Sequence, residues 1–163
     1  MQRIIDAIDH RILRFLQDDA RLPNAEIARA LEMAPSAVHL RTRRLEERGV
    51  IQGYNARVDP PSVNRGLAAF VHLRTDEALA SSDVAEAVAA LAGVLEVHDI
   101  AGEDCYLVKV RVPDIAELHR FLREDLGAVP GVRSTRTTIV LKTIAEHTNL
   151  PIPSPLEMTA KDL

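Results

Sequence analysis

The sequence predicts an α+β chain in two parts: a small helical unit at the start and an alternating strand-and-helix unit after it. Three observations support this. Apolar residues recur at helical spacing up to Gly49, then a Pro pair interrupts the chain, and beyond it short β-rich runs alternate with helical ones. The 163 residues are enough for two small domains, and 47% of them are apolar, enough to bury a core in each. Aromatics make up only 3%, with no Trp, so those cores must be aliphatic.

Ile5, Ile8, Ile12 and Leu16 fall on one face and predict a first helix over Ile5–Leu16, ended by Asp18-Asp19. Leu22-Pro23 connects it to a second helix, Ala25–Leu31, for which Asn24 is a plausible N-cap. Glu32-Met33-Ala34 breaks the chain briefly. Pro35 suits the first turn of a third helix, because its missing N–H has no acceptor there in any residue type. That helix runs to Arg48, and Gly49 ends it. Two helices joined by a tight turn, the second one basic, form a helix-turn-helix pattern. Val38, Thr42 and Leu45 point inward, leaving Ser36, Ala37, His39, Leu40, Arg43 and Arg44 outward.

Val50–Val58 reads as an extended segment, and Asp59-Pro60-Pro61 as stiff punctuation. The elements after it are a strand at Leu67–Leu73, a helix at Ser82–Leu91 with Ser82 as cap, and a strand at Val94–Ile100. The turn Ala101–Asp104 leads into a strand at Cys105–Val112, a helix from Asp114 to Leu126 and a last strand at Val132–Leu141. The order β-α-β-β-α-β is the split βαβ, ferredoxin-like arrangement. The tail from Ile144, with Pro151, Pro153 and Pro155, has no period, which leaves either disorder or draping over a partner subunit. The expected division is therefore 1–52, a linker or hinge over 53–64, a second domain over 65–143 and a tail over 144–163.

Net charge is −4, which alone disfavours a nucleic-acid binder, but its distribution reverses the argument. Residues 1–60 carry 10 Lys+Arg against 9 Asp+Glu, whereas residues 61–163 carry 10 against 15. Within 34–48, Arg41, Arg43, Arg44 and Arg48 face only Glu46 and Glu47, a local basic stripe on an acidic protein. A charged helix face is by default merely solvated; the helix-turn-helix spacing shifts this one toward double-stranded DNA. Arg41, Arg43 and Arg44 are expected at phosphates or guanine edges, and Ser36 and His39 at bases or backbone near the helix start. Arg41 also neighbours the buried face, so a structural role is open to it.

The single cysteine, Cys105, rules out a disulfide framework within the chain and multi-cysteine zinc sites. The 6 histidines are scattered with no i, i+4 pair, which argues against a metal site. No phosphate loop, nucleophile elbow or acid/base constellation is present, so neither an enzyme nor a cofactor is expected. No apolar run approaches the roughly 18 residues a membrane helix needs, and no signal-peptide core follows the start; a cytoplasmic location is expected.

The motifs in order closely resemble those of the Lrp/AsnC family of feast/famine regulators. They are Ile8–Leu13, Arg21–Ala28, Ser36–Arg41, Arg43–Ala56, Ala101–Tyr106, Val129–Val132 and Thr135–Leu141, in register across residues 5–143. The resemblance implies a winged helix-turn-helix followed by a RAM- or ACT-like sensing domain, and a transcription regulator tuned by an amino acid or similar small effector. It implies homodimers assembling to octamers, with the effector between subunits and Ala101, Gly102, Glu103 and Asp104 as one wall of its pocket. Taken alone, that stretch is a β-hairpin turn whose Gly102 supplies positive φ. On the resemblance, Glu103 or Asp104 pairs with an ammonium, His98, Ile100 and Tyr106 shape the side-chain end, and Thr137 supplies a hydroxyl.

The sequence departs from the family pattern in three places. Glu32-Met33-Ala34 replaces the usual Gly-hydrophobic-Ser turn, Ala34 cannot cap (a loss of about 1 kcal/mol relative to Ser), and Leu40 stands where a polar residue is common. Two alternatives share the fold: a siroheme-decarboxylase-like enzyme, which would bind tetrapyrrole, and an architectural DNA-binding protein that senses nothing.

Overall fold

The computed structural model describes residues 5–76 and 82–153. They form two compact units, one of residues 5–56 with 146–153, the other of residues 57–76 with 82–145. The boundary falls between residues 56 and 57, and residues 146–153 cluster with the first unit.

Three helices build the first unit: α1 (Ala7–Asp18), α2 (Asn24–Leu31) and α3 (Pro35–Glu47). α1 starts where Asp6 accepts hydrogen bonds from the Ile8 and Asp9 amides, both at 2.9 Å. The Asp6 amide in turn donates to the Asp9 carboxylate at 3.2 Å, completing a reciprocal capping box. The cap of α2 is Pro23 rather than Asn24, which is the first helical residue. Its side chain lies 3.5 Å from His39 Nδ1 on α3 instead. Ile12, Ile27, Ala28, Leu31, Val38 and Leu45 form the core, as the helical spacing predicts. Thr42 turns inward with them, and its buried hydroxyl has no hydrogen-bond partner among the described residues.

The turn before α3 shows what the sequence departures mean. Glu32 has φ 55°, a left-handed conformation that penalises any side chain with a Cβ. Ala34 occupies the N-cap of α3 without a side-chain hydrogen bond. At the other end of α3 Gly49 takes φ 64°, and the Val50 amide reaches back to the Leu45 carbonyl at 2.9 Å, closing the helix as expected.

The expected extended run 50–58 is only partly that. Residues 52–59 form no β-ladder, and Tyr54 bends back so that its hydroxyl donates to Glu46 at 2.8 Å. Burial and the Glu46 carboxylate push the Tyr54 phenol up to about 12, so it remains a neutral donor. The terminal segment also joins this unit. The Leu150 amide donates to Gln17 Oε1 at 2.7 Å, Gln17 Nε2 donates to the Leu150 carbonyl at 3.0 Å, and Arg14 reaches the Pro153 carbonyl. Gln17 thus offers the extended segment the donor and acceptor that a neighbouring strand would offer.

In the second unit, Pro60 caps a 3₁₀ turn, Pro61–Val63, and Asp59 accepts from the Ser62 amide. Then come β1 (Leu67–Thr75), α4 (Asp83–Ala89), β2 (Val94–Asp99), β3 (Tyr106–Val112), α5 (Ile115–Arg120) and β4 (Val132–Ile139). All pairings are antiparallel in the order β2-β3-β1-β4, which is the expected ferredoxin-like topology. The single helix expected over Asp114–Leu126 is α only to Arg120. It continues as a π turn, Phe121–Asp125, and a 3₁₀ turn, Leu126–Ala128, that bring Phe121 and Leu126 both into the core. Asp114 caps α5 through the Glu117 amide at 2.9 Å, whereas the Ser82 hydroxyl before α4 bonds Glu86 instead of an amide.

Strand alternation sorts the sheet. Ala69, Val71 and Leu73 of β1 and Val108 and Val110 of β3 bury against Val84 and Val88 of α4 and Leu118 of α5. The opposite face presents Phe70, His72 and Arg74 of β1, Leu107 and Lys109 of β3, Glu96 and His98 of β2, and Ser134, Arg136 and Thr138 of β4. Among the described residues no helix covers it.

Relief of the turn before α3 is directly measurable. Glu32→Gly is expected to raise stability by about 0.5–1 kcal/mol, and Ala34→Ser to add roughly 1 kcal/mol by capping α3. Thermal or denaturant unfolding checks both; no gain from either would contradict the geometry of this turn.

Candidate functional site

The first candidate surface is α3. Its inward face is fixed by Val38, Thr42 and Leu45, so helical geometry sends Ser36, Leu40 and Arg43 to the opposite side, all exposed. His39 flanks that stripe on one side and Arg44 on the other, with Ala37 half-buried near the helix start. Leu40 is 49% exposed, a large apolar side chain at the centre of the outward face. Arg43 is held by Glu47 at 2.8 Å, an exposed i, i+4 pair of little energetic weight that a phosphate can displace.

Arg41 is placed differently from the expectation that put it in the groove. It points back to the start of α1, with Nη1 at 2.6 Å from Asp6 and 2.8 Å from Asp9, and is committed to two carboxylates. Burial alone would raise the Asp6 carboxyl, but the Asp9 amide, the Arg41 guanidinium and the Ile8 amide outweigh it and hold Asp6 below its usual 3.8. The two acids raise the Arg41 pKa further still. Beside this cluster a hollow of about 310 Å³ is lined also by Arg44 and Arg48. Neither of those arginines has a partner among the described residues. Arg48, one turn beyond Arg44, belongs to the basic stripe read from the sequence but not to the contact residues expected there; its i, i+4 spacing from Arg44 is the signal.

The second candidate is an open hollow of about 590 Å³ at one end of the sheet. The β2–β3 turn supplies Ile100, Ala101, Gly102, Glu103 and Asp104, as expected from the sequence, and Gly102 takes φ 150°. β1 adds His72 and Arg74, and β4 adds Ser134, Thr135 and Arg136. Asp104 is only 15% exposed in its side chain and is held by Arg136 at 2.5 Å. His72 Nδ1 lies 3.4 Å from the same carboxylate, a close approach without hydrogen-bond alignment. The Arg136 guanidinium holds the Asp104 carboxyl below the ordinary range against the opposing push of burial, with His72 and Arg74 adding to it. Arg74 donates from Nε to the Glu103 carbonyl at 3.0 Å, which pins the turn.

Three expected residues do not line this hollow. Tyr106 is 8% exposed and pairs with Leu73 on the helix-covered face. Thr137 pairs with Val71 on that same face. His98 lies on the open face but bonds Glu96 at 3.2 Å, away from the turn. For Tyr106 and Thr137 strand parity is the reason: a shift of one residue moves a side chain across the sheet.

Both units match known protein families. Residues 5–52 match the winged helix-turn-helix DNA-binding domain family, and residues 68–150 match the Lrp/AsnC ligand-binding domain family. The chain belongs to the Lrp/AsnC family. It is 38% identical over 148 residues to the helix-turn-helix transcriptional regulator FL11 of Pyrococcus horikoshii, covering 91% of this chain and 97% of that one. It is 36% identical to the leucine-responsive regulatory protein of Escherichia coli, covering 91% and 92%. A transcriptional regulator from Neisseria meningitidis, solved with L-methionine, superposes with a TM-score of 0.84 at 33% identity, covering 91% of this chain and 97% of that one. A feast or famine regulatory protein of Mycobacterium tuberculosis, also with L-methionine, gives 0.84 at 35%, covering 92% and 100%. As an Lrp/AsnC protein, this chain is a DNA-binding transcriptional regulator with a ligand-binding domain, and the relatives above are named regulators, not enzymes. No helix among its described residues is long and apolar enough to cross a membrane.

The Arg41 cluster sets a pH response. Because the Asp6 pKa is lowered on folding, its contribution is present above 3.8 and is lost as pH falls through the folded value. Arg41→Ala is expected to return the Asp6 pKa toward 3.8, read by NMR titration, and to lower the stability of the first unit by about 1–2 kcal/mol. An unmoved Asp6 titration would refute the bridge.

Proposed function

We propose that this Lrp/AsnC chain inserts α3 into the major groove of its operator and that a small effector in the β2–β3 hollow tunes that binding. The observation that carries the reading is the outward face of α3. Ser36 and Leu40 meet base edges there, with Ala37 and His39 beside the helix start, and Arg43, Arg44 and Arg48 meet flanking phosphates. Arg41 is left out of the contact set, since removing it from Asp6 and Asp9 would strand two carboxylates.

The effector reading rests on the hollow itself, where two arginines, a histidine and two acids surround a turn of exposed backbone. An amino acid is the class proposed, in keeping with the L-methionine held by two structural relatives. The uncovered sheet face, apolar at Phe70 and Leu107 and ringed by charge, is the surface proposed for homodimers, with octamers as the higher assembly. A ligand near such contacts regulates by binding one assembly better than another. The protein acts on cytoplasmic DNA in this scheme.

The double variant Arg43→Ala/Arg44→Ala is expected to lose about 1–3 kcal/mol of promoter affinity, and the slope of log K against log salt to fall by about one for each phosphate contact removed. Fluorescence anisotropy over a salt series measures both. Parent-like binding at moderate salt would remove α3 from the interface. A thermal shift panel of the twenty L-amino acids tests the effector. A specific ligand at 100 times its Kd stabilises by about 2.7 kcal/mol, and the absence of any shift would favour a protein that binds DNA without sensing.

A further inference from the structure

The hollow at the end of the sheet carries more cationic hydrogen-bonding capacity than its own acids use. In the β1/β4 ladder Arg74 stands opposite Ser134, and His72 opposite Arg136. All four side chains are therefore on the uncovered face, with the two arginines diagonal neighbours across the strands. Asp104 is already committed, to Arg136 at 2.5 Å and to the neighbourhood of His72. Arg74 spends only its Nε, and spends it on a backbone carbonyl, that of Glu103. Its two terminal nitrogens have no acceptor among the described residues, and Arg136 pairs through one nitrogen alone. Glu103 lines the same hollow from the β2–β3 turn, exposed and likewise without a described side-chain partner.

We propose that Arg74, Ser134 and Arg136 form the carboxylate-binding end of this hollow, so that an α-amino acid lies with its carboxylate on the β1/β4 side and its ammonium toward Glu103. This rests on the effector reading above and adds an orientation to it. Two guanidinium groups converging from neighbouring strands can each give a carboxylate oxygen a charge-assisted bond, and the Ser134 hydroxyl between them a third. Asp104 is then a positioning residue: it holds Arg136 in place and does not meet the ligand's ammonium, a role the family resemblance left open to either Glu103 or Asp104. The selectivity that follows is for a free carboxylate, with the choice of side chain left to Ile100 and Ala101.

The test uses the full chain and calorimetric titration with an amino acid that the panel selects, beginning with L-methionine, alongside its methyl ester and 4-(methylsulfanyl)butanoate, which lacks the amine. The parent is expected to bind methionine, to retain weaker binding of the butanoate and to ignore the ester. Arg136→Gln and Arg74→Gln should each weaken methionine and butanoate by about 10- to 100-fold. Arg136→Lys should fall between, since an ammonium cannot reproduce the fork, and Ser134→Ala, which leaves both arginines in place, should lose less. Glu103→Gln should weaken methionine and leave the butanoate unchanged, which a general loss of structure would not do. Asp104→Asn should weaken both acids through Arg136. Unliganded melting temperatures show which variants are folded. An ester that binds as tightly as the acid, or an Arg74→Gln/Arg136→Gln protein that binds methionine like the parent, overturns the proposal. If no amino acid binds the parent, the effector reading falls instead. The butanoate and acetate then decide the arginine pair alone: a shift abolished in the double variant upholds it, and no shift with any carboxylate overturns it.

Discussion

The DNA-binding unit depends on one guanidinium. Arg41 leaves the basic stripe of α3 and closes on Asp6 and Asp9, the same carboxylates that cap α1. A capping box satisfies amides at a helix start in any protein; here its outer oxygens also receive Arg41 of α3. The start of α1, the middle of α3 and the apolar core between them thus form one rigid block. Rigidity matters because a helix can read base edges only if its side chains reach the groove without reorganising. Tyr54 extends the same logic to the far end of α3, where its neutral hydroxyl holds Glu46.

The charge on α3 divides accordingly into two kinds. Arg41 is half-buried and paired to two carboxylates, whereas Arg43, Arg44 and Arg48 remain exposed. The exposed group gives a net acidic chain a small positive surface where a phosphate backbone can sit, and repulsion elsewhere limits indiscriminate adhesion. The second unit makes a comparable division. Asp104 is spent on keeping Arg136 in place, and the cationic capacity left over faces the hollow. In the first unit an arginine, and in the second an acid, that the sequence left open for a partner is occupied inside the structure.

Much of the fold could be read from residue order. The apolar spacing of Ile8, Ile12, Val38 and Leu45 located the first core, Gly49 located the end of α3, and the β-rich run Cys105–Val112 located an inner strand of the second core. Local chemistry fixes these features, through helical period, strand period and the freedom of glycine at positive φ. Departure from the family pattern pointed to Glu32 and Ala34 in the turn before α3, and the structure places Glu32 at positive φ and Ala34 at an uncapped helix start.

What order alone could not supply were contacts between residues far apart in the chain. Arg41 reads as one more arginine until α1 is packed against α3, and the parity of Tyr106 and Thr137 is undefined until the register of β3 and β4 is fixed. His72, Arg74, Ser134 and Arg136 share a hollow only because β4 pairs with β1, some sixty residues away, and no local pattern encodes that pairing. The segment around Leu150 likewise has no period of its own and takes its conformation from Gln17 on α1. By itself the sequence determined the elements, their order and the sign of charge on α3. The tertiary structure decided which charges are spent internally and which remain for DNA and ligand, because that depends on distances across the chain.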